Sequence, residues 1–330
     1  QFCGGESIMD CREKSLELSN YNIGTILDFS VEGTEDEEDF DRTEAEVLDV
    51  IDKSGIEPKN PYVVFKMSGL ASNYLLEKIQ LQKKLSDEEV ESWQRTKNRV
   101  RNICQSAYNN EVRVLIDAEE SWIQDPVDSL VYEMMQEYNR SRAMVFNTYQ
   151  MYRKDMYGNL QQAYRVAMEN KYHLGVKLVR GAYMEKERER AKEMGYEDPI
   201  QNDRKATDSD FDHGLEFCIN NIVNLELCCG SHNEQSNKYL TKLMDQHGLD
   251  CGDSRIYFAQ LYGMSDNISF NLANAGYNVA KYLPYGPVKE VMPYLIRRAE
   301  ENTAISGQTS REFLLIKKEL ARRSKQTTQF

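Results

Sequence analysis

The chain has 330 residues, with 54 acidic against 41 basic side chains and a formal net charge of -13 at neutral pH. This acidity excludes non-specific nucleic-acid binding as a main activity, because the phosphate backbone is bound by lysine and arginine. The chain is 40% hydrophobic, and its longest apolar runs fall short of the roughly 18 residues that a membrane span needs. The seven cysteines form no C-x-x-C pair, which predicts a reduced, intracellular protein.

Eight short apolar segments alternate along the chain with segments of helical patterning. Their β-branched cores are typical of strands that are buried on both faces. They are Gly24–Ser30, Tyr62–Gly69, Val112–Glu120, Arg142–Gln150, Leu174–Ala182, Asn224–His232, Arg255–Gly263 and Asn278–Gly286. This alternation predicts an α/β fold, a (β/α)₈ TIM-like barrel with additional helices, as a single domain over residues 1–330. A doubly wound sheet stays open as an alternative, because a pattern alone does not show closure.

Polar side chains fall in the later half of most predicted strands. In a barrel these positions meet at the carboxyl end, where barrel enzymes carry their active sites. Any single one could be polar only because strands emerge into loops there, but their repetition favours a site. The residues are Asp28, Lys66, Asp117, Glu119, Asn147, Gln150, Lys177, Arg180, His232, Asn233, Gln260 and Tyr282.

The segment after the last strand predicts a helix with two different faces. Tyr294, Arg297, Arg298 and Glu301 share one face, and adjacent arginines suit a small carboxylate because a guanidinium binds it with two parallel hydrogen bonds. A solvated face with an internal ion pair is an equally good interpretation of the spacing. A separate apolar stripe is expected to pack on the barrel and consists of Val288, Val291, Met292, Leu295 and Ala299.

Two other functions remain compatible with these residues. A metal-dependent lyase or isomerase could use Asp28, Asp117, Glu119 and His232 as ligands. A non-catalytic barrel that binds a small acid or a partner protein would keep the arginine pair. The chain has only four histidines, and we expect no metal site.

The motifs on successive strands resemble those of the FAD-dependent proline dehydrogenases, and most of all the monofunctional branch that includes the animal mitochondrial enzymes. The resemblance covers nearly the whole chain. It is carried by FKMSGL, LIDAEE, VFNTYQMY, KLVRGAY, SHNE, QLYGM, YLPYGP and PYLIRRAEEN, in this order.

The resemblance implies an activity, a cofactor and a location. The reaction would be the first step of proline catabolism, oxidation of L-proline to 1-pyrroline-5-carboxylate by hydride transfer from proline C5 to N5 of FAD. Electrons would pass to a quinone, which implies peripheral membrane contact. The site of action would be the cytoplasmic side of a bacterial inner membrane, or the mitochondrial inner membrane or matrix in a eukaryote.

The resemblance also implies roles for the substrate-site residues. Lys66, Arg297 and Arg298 would hold the proline carboxylate, and Asp117 would lie near the reacting centre. Leu261, Tyr282 and Tyr294 would enclose the pyrrolidine ring. Related hydroxyproline dehydrogenases have a smaller residue in place of Tyr282, so the tyrosine favours proline. Glu32 would act as a gate by pairing with Arg297.

The cofactor contacts implied by the resemblance lie mainly in the later half of the fifth and sixth predicted strands and directly after them. Lys177 and Asn147 stand where many bacterial members have arginine and glutamine, which changes the groups offered to the flavin. The full set is Asn147, Lys177, Val179, Gly181, Ala182, Tyr183, Ser231, His232, Asn233 and Glu301.

Overall fold

Eight parallel strands close into a barrel in the computed structural model of the chain, which describes residues 2–30, 33–54, 60–304, 317–318, 320 and 322, without the side chains of 298–304. The strands follow one another in chain order, and β1 pairs with β8, which confirms the predicted barrel and excludes a doubly wound sheet. They are β1 Ile23–Phe29, β2 Tyr62–Lys66, β3 Arg113–Asp117, β4 Val145–Gln150, β5 Leu174–Val179, β6 Leu225–Gly230, β7 Ile256–Leu261 and β8 Val279–Tyr285.

The helices that the structure describes lie outside this barrel. They are α1 Ile8–Ser19, α2 Glu37–Ser54, α3 Asn73–Gln80, α4 Asp87–Asn109, α5 Gln124–Tyr138, α6 Met156–Asn170, α7 Met184–Met194, α8 Arg204–Asn220, α9 Glu234–Gln246, α10 Asp266–Asn274 and α11 Val288–Ala304. The predicted additional helices are present, because α1 precedes β1 and two helices follow each of β2 and β5. No described helix is both long and apolar enough to cross a bilayer.

The strands bury both of their faces, each in a different cluster. Outward side chains such as Val63, Val114 and Leu227 pack against the helices in the larger cluster. Inward side chains form a second cluster inside the barrel, where the middle layer includes Ile26, Val64, Leu115, Phe146, Cys228, Ala259 and Ala280. This apolar layer separates the carboxyl end of the barrel from the amino end.

The apolar stripe expected on α11 is only partly buried. Val291 is buried, but Val288 is 59% exposed and Met292 is 42% exposed. The buried side of the helix instead runs through Val291 and Tyr294, so the helix turns the side that carries its tyrosine toward the protein. The side chain of Ala299 lies outside the described residues.

The barrel interior leaves no space for a side chain at Gly175 on β5. A Cβ at this position would come within 2.2 Å of the Val145 carbonyl oxygen and 2.8 Å of Cγ of Phe146. Gly158 on α6 is a matched control, because a Cβ there meets nothing within 4 Å.

We predict that Gly175→Ala lowers the free energy of unfolding by at least about 1–3 kcal/mol, since the backbone of β4 would have to move. Gly158→Ala should raise it by about 0.4–1 kcal/mol, because alanine favours the helix and restricts the unfolded chain. Urea unfolding followed by circular dichroism measures both. Equal changes in the two variants would contradict the close packing at Gly175.

Candidate active site at the carboxyl end of the barrel

Two buried lysine–carboxylate pairs lie inside the carboxyl end of the barrel. The Lys66 ammonium at the end of β2 lies 3.3 and 3.4 Å from the two carboxylate oxygens of Asp28 on β1. The Lys177 ammonium on β5 donates to Oδ1 of Asp117 on β3 at 2.5 Å. All four side chains are largely buried, and a buried charge is tolerated only when it is paired. Strand register therefore brings together Asp28, Lys66, Asp117 and Lys177, all four of which were predicted as polar strand-end residues.

Tyr282 on β8 joins the second pair. Its hydroxyl accepts a hydrogen bond from the Lys177 ammonium at 2.5 Å and donates to Asp117 Oδ1 at 3.2 Å. The ammonium also lies 4.4 Å from the centre of the tyrosine ring, a cation–π distance. Burial and the Asp117 carboxylate raise the pKa of Tyr282 well above its ordinary value, so the phenol keeps its proton.

Helix α11 approaches this site from the chain segment after β8. Tyr294 is buried, and the Arg297 guanidinium lies 5.5 Å from the ring centre of Tyr183, which follows β5. Arg298 and Glu301 lie on the helical backbone of α11, but their side chains are outside the described residues. The predicted gate residue Glu32 is also outside them.

The end of β6 carries a histidine whose two ring nitrogens are both engaged. His232 Nε2 accepts from the backbone N–H of Leu261 at 3.4 Å, and Nδ1 lies 2.9 Å from the Ser265 hydroxyl. These contacts are consistent with the tautomer that carries its proton on Nδ1. The ring therefore connects β6 to the loop after β7, which holds Leu261 at an inner position.

A polar network surrounds the start of α9. Arg180 donates to the hydroxyls of Ser231 at 2.8 Å and Ser236 at 2.9 Å, and to Asp208 at 2.7 Å. The Asn233 side chain caps α9 by accepting from two backbone N–H groups. Ser231 and Asn233 were predicted as cofactor contacts, whereas Arg180 was recognised only as a polar strand end.

The turn after β5 is shaped by a glycine. Gly181 has φ +133°, and a Cβ there would lie 2.5 Å from the Tyr152 ring. Ala182 is exposed and Val179 is half-buried at the end of the strand. Because β5 and β6 are neighbours in the barrel, the predicted cofactor residues on both strands lie side by side. The close backbone at Gly181, the exposed Ala182 and the polar groups of Ser231 and Asn233 fit a bound dinucleotide cofactor such as FAD.

Asn147 is the described residue that the structure does not bring to this group. It pairs in register with outward-facing Ile116, and its amide donates to Asp128 at 2.9 Å and to Tyr132 at 3.4 Å, both on α5. Its neighbour Thr148, paired with Lys177, takes the inward position. The Asn147 side chain therefore points out of the barrel toward α5, and its expected cofactor contact stays a prediction.

Sequence reasoning missed several residues that position this site. Ser68 donates to the Glu119 carboxylate through both its backbone N–H and its hydroxyl, which ties the loops after β2 and β3 together. The Ser68 hydroxyl also accepts from the backbone N–H of Gly33 at 3.2 Å. No sequence pattern pointed to Ser68 or Ser265, since a lone serine in a loop carries no distinctive signal.

The carboxylates needed by a metal-dependent lyase do not converge. Asp28 contacts Lys66, Asp117 contacts Lys177, and Glu119 binds Ser68, while His232 contacts Ser265. Within the described ranges, no group of three His, Cys, Asp or Glu side chains could hold a metal ion. The positions of the residues themselves therefore do not support the lyase alternative.

A closed parallel barrel with charged and aromatic side chains converging at its carboxyl end is typical of (β/α)₈-barrel enzymes. A protein-family model described as proline dehydrogenase matches residues 11–311. The chain belongs to the proline dehydrogenase family.

Individual relatives agree with this assignment. The chain is 40% identical over 244 residues to "Proline dehydrogenase 1, mitochondrial" of Caenorhabditis elegans, covering 72% of this chain and 40% of that protein. It is 34% identical over 322 residues to "Carbapenem antibiotics biosynthesis protein CarD" of Pectobacterium carotovorum subsp. carotovorum, covering 98% and 83%. The match thus spans well under half of the worm protein.

Solved structures show the same fold. Proline utilization A (PutA) from Bdellovibrio bacteriovorus, inactivated by N-propargylglycine, matches with a TM-score of 0.82 at 20% identity. The match covers 92% of this chain and 32% of the PutA chain. It confirms the barrel and, at this identity, nothing more specific.

Lys281 on β8 is a buried cation on the outer side of the barrel. It is 0% exposed, and its ammonium donates to the carbonyl of Met264 at 2.5 Å and to Asp266 at 2.8 Å. It also reaches the Leu261 carbonyl at 3.4 Å. This single side chain thus holds the end of β7, at Leu261, and the loop after it, which contains Met264 and Ser265.

We predict that Lys281→Met lowers the free energy of unfolding by about 1–3 kcal/mol, because buried carbonyl groups lose their donor. Lys242→Met, the same change at an exposed position on α9, should stay within about 0.5 kcal/mol of the parent. Urea unfolding compares the two variants. A Lys281→Met protein as stable as the control would show that the ammonium does not hold the loop.

Proposed function

We propose that this chain is an FAD-dependent dehydrogenase that oxidises L-proline to 1-pyrroline-5-carboxylate, the first step of proline catabolism, and passes the electrons to a quinone. The observation that supports this most is the buried Lys177–Tyr282–Asp117 cluster beside Lys66, in a chain of the proline dehydrogenase family. The relative in Caenorhabditis elegans is named as a proline dehydrogenase.

The substrate carboxylate would be held by Lys66 together with Arg297 and Arg298 of α11. The Lys66 ammonium is a buried positive charge at the end of β2 with three N–H donors, and Asp28 keeps it in place at the inner side of the barrel. Cations on two separate elements would fix both the position and the orientation of a small ring.

Apolar and aromatic groups would enclose the pyrrolidine ring. Leu261 and Tyr282 occupy inner positions on β7 and β8, and Tyr294 lies on the buried side of α11. Their role would be to exclude water and to hold the reacting ring carbon in a position close to the cofactor. Because Tyr282 is held by both Lys177 and Asp117, it presents a fixed wall to the ring.

FAD would be held by residues after β5 and β6, and when bound it supplies the redox chemistry by accepting the hydride. Lys177, Val179, Gly181, Ala182, Tyr183, Ser231, His232 and Asn233 are the described residues in that position. Lys177 would offer a positive point charge at the inner side of the site, while Asp117 keeps it oriented. Glu301 on α11 stays a prediction for this role.

The gate, the acceptor and the location complete the proposal. Gly33 N–H and the Thr34 hydroxyl both bond to Ser68, so the chain directly after Glu32 is anchored beside the end of β2. The role of Glu32 as a gate stays a prediction of the family resemblance. The quinone acceptor and the peripheral membrane contact rest on the family resemblance. Relatives named as mitochondrial favour the mitochondrial inner membrane or matrix in a eukaryote. The cytoplasmic side of the inner membrane in a bacterium rests on the family resemblance alone.

An anaerobic visible spectrum recorded before and after L-proline tests the activity. We expect flavin absorption in the protein, or after added FAD, and bleaching on addition of proline. Lys66→Met should need at least about tenfold more proline, because a charge-assisted contact to the carboxylate is lost. Lys242→Met should behave as the parent. A protein that stays colourless after added FAD would refute the cofactor, and flavin bands unchanged by proline would refute the substrate.

Substituting Tyr282 tests the basis of substrate choice. We predict that Tyr282→Ser raises the ratio of kcat/KM for hydroxyproline over proline by about tenfold, because a smaller side chain admits the ring hydroxyl. Tyr282→Phe removes the phenol hydroxyl but keeps the ring, so it should change the ratio little. Steady-state kinetics with both substrates give the ratio. An equal rise in both variants would assign the discrimination to the hydroxyl rather than to the bulk of the ring.

A further inference from the structure

A cavity of about 320 Å³ opens at the amino end of the barrel, opposite the candidate active site. It is formed where β3, β6 and β7 begin and where the chain enters β4 and β5. Its polar lining includes Arg113, Ser141, Arg142, His173, Glu226 and Arg255. The apolar middle layer of the barrel separates it from the carboxyl end, so it is a distinct feature of the molecule.

A buried ion pair forms the floor of this cavity. Arg113 and Glu226 are 5% and 4% exposed, and Nη2 of the arginine lies 2.9 Å from Oε2 of the glutamate. The guanidinium lies 5.6 Å from the ring centres of both Tyr62 and Tyr257, and it donates to the Ser254 carbonyl at 2.7 Å. The other carboxylate oxygen, Oε1, accepts from the Ala143 N–H at 3.0 Å.

This floor has polar atoms that lack hydrogen bonds. Among the residues that the structure describes, Arg113 Nε and the Tyr62 hydroxyl are buried without a hydrogen-bond partner, whereas Glu226 Oε2 is ion-paired with Arg113 Nη2 but makes no hydrogen bond. Buried polar atoms are nearly always hydrogen-bonded, so each such atom calls for an explanation. Here a positively charged donor, a carboxylate acceptor and a phenol occur in one layer beside an open cavity.

The cavity is also more basic than the chain around it. Three arginines line it against one carboxylate, in a chain with a net charge of -13. Arg255 is paired with Asp253, with contacts at 2.5 and 2.9 Å. Arg142 is exposed at the rim. The local charge therefore attracts an anion, while Glu226 can accept a hydrogen bond from it.

We propose that this cavity binds a small organic carboxylate that also carries a hydrogen-bond donor, either a hydroxyl or an ammonium group. Arg142 and Arg113 hold the carboxylate, and Glu226 accepts from the donor. The volume lies at the lower end of the range for small-molecule sites, which suits a ligand of a few heavy atoms. The site is independent of the proposed oxidation of proline.

His173 provides a local probe, because it lines the cavity whereas the other histidines do not. Protein labelled with ¹³C at histidine Cε1 is titrated with acetate, glycolate and glycine at constant pH and ionic strength, and His173→Gln assigns the signal. We expect the His173 signal to shift saturably with glycolate or glycine, and acetate to bind about tenfold more weakly because it has no donor. The His232 signal at the other end should not move.

Arg142→Gln should weaken glycolate or glycine binding about tenfold, since a charge-assisted contact is lost. Arg165→Gln, the same change at an exposed position on α6, should leave it unchanged. Glu226→Gln keeps the shape of the floor and should reduce the advantage of glycolate and glycine over acetate.

Three results would overturn the proposal. The first is the absence of a saturable His173 shift with any probe, which would show that the cavity holds only water. The second is acetate binding as tightly as the other two probes, which would remove the role of Glu226. The third is equal binding by Arg142→Gln and Arg165→Gln.

Discussion

The burial of lysine ammonium groups inside a parallel barrel is the constraint on which the candidate site depends. Lys66 and Lys177 occupy inner positions, where an unpaired charge costs several kcal/mol, a large share of the roughly 5–15 kcal/mol that stabilises a domain. Each therefore requires a carboxylate on another strand, which Asp28 and Asp117 supply. A slip of one residue in strand register would send these side chains to the outer face and break both pairs. The two ion pairs therefore favour the observed strand register, and this register places the four side chains together in the candidate site.

Both ends of the barrel bury cations that are paired with carboxylates, but they use different residues. At the carboxyl end, lysines pair with aspartates and a protonated tyrosine. At the amino end, an arginine held between two tyrosine rings pairs with Glu226. The apolar layer between them supplies the hydrophobic stabilisation, which leaves both ends able to carry polar groups. A barrel of this kind can hold two chemically separate sites because its middle is filled.

The sequence predicted the strands better than the direction of individual side chains. All eight strands and their order followed from apolar runs separated by helices, and the inward lysines followed from the family resemblance. Strands buried on both faces show no polar alternation, however, so VFNTYQ did not reveal that Thr148 points inward and Asn147 outward. On α11 the amphipathic pattern misled, because Val288 and Met292 face solvent while Tyr294 is buried. Sequence patterns assume that apolar side chains are buried and polar ones exposed, and a functional site departs from this rule because it buries polar groups.

Strand β8 couples the interior of the site to its surroundings. Its neighbouring residues point to opposite faces: Tyr282 holds Lys177 and Asp117 inside, while Lys281 holds the loop after β7 outside. Leu261 at the end of β7 and Ser265 in that loop both contact His232, which follows β6. The substrate side and the cofactor side of the proposed site therefore depend on one strand. A displacement of β8 would therefore alter the wall of the ring pocket and the orientation of His232 together.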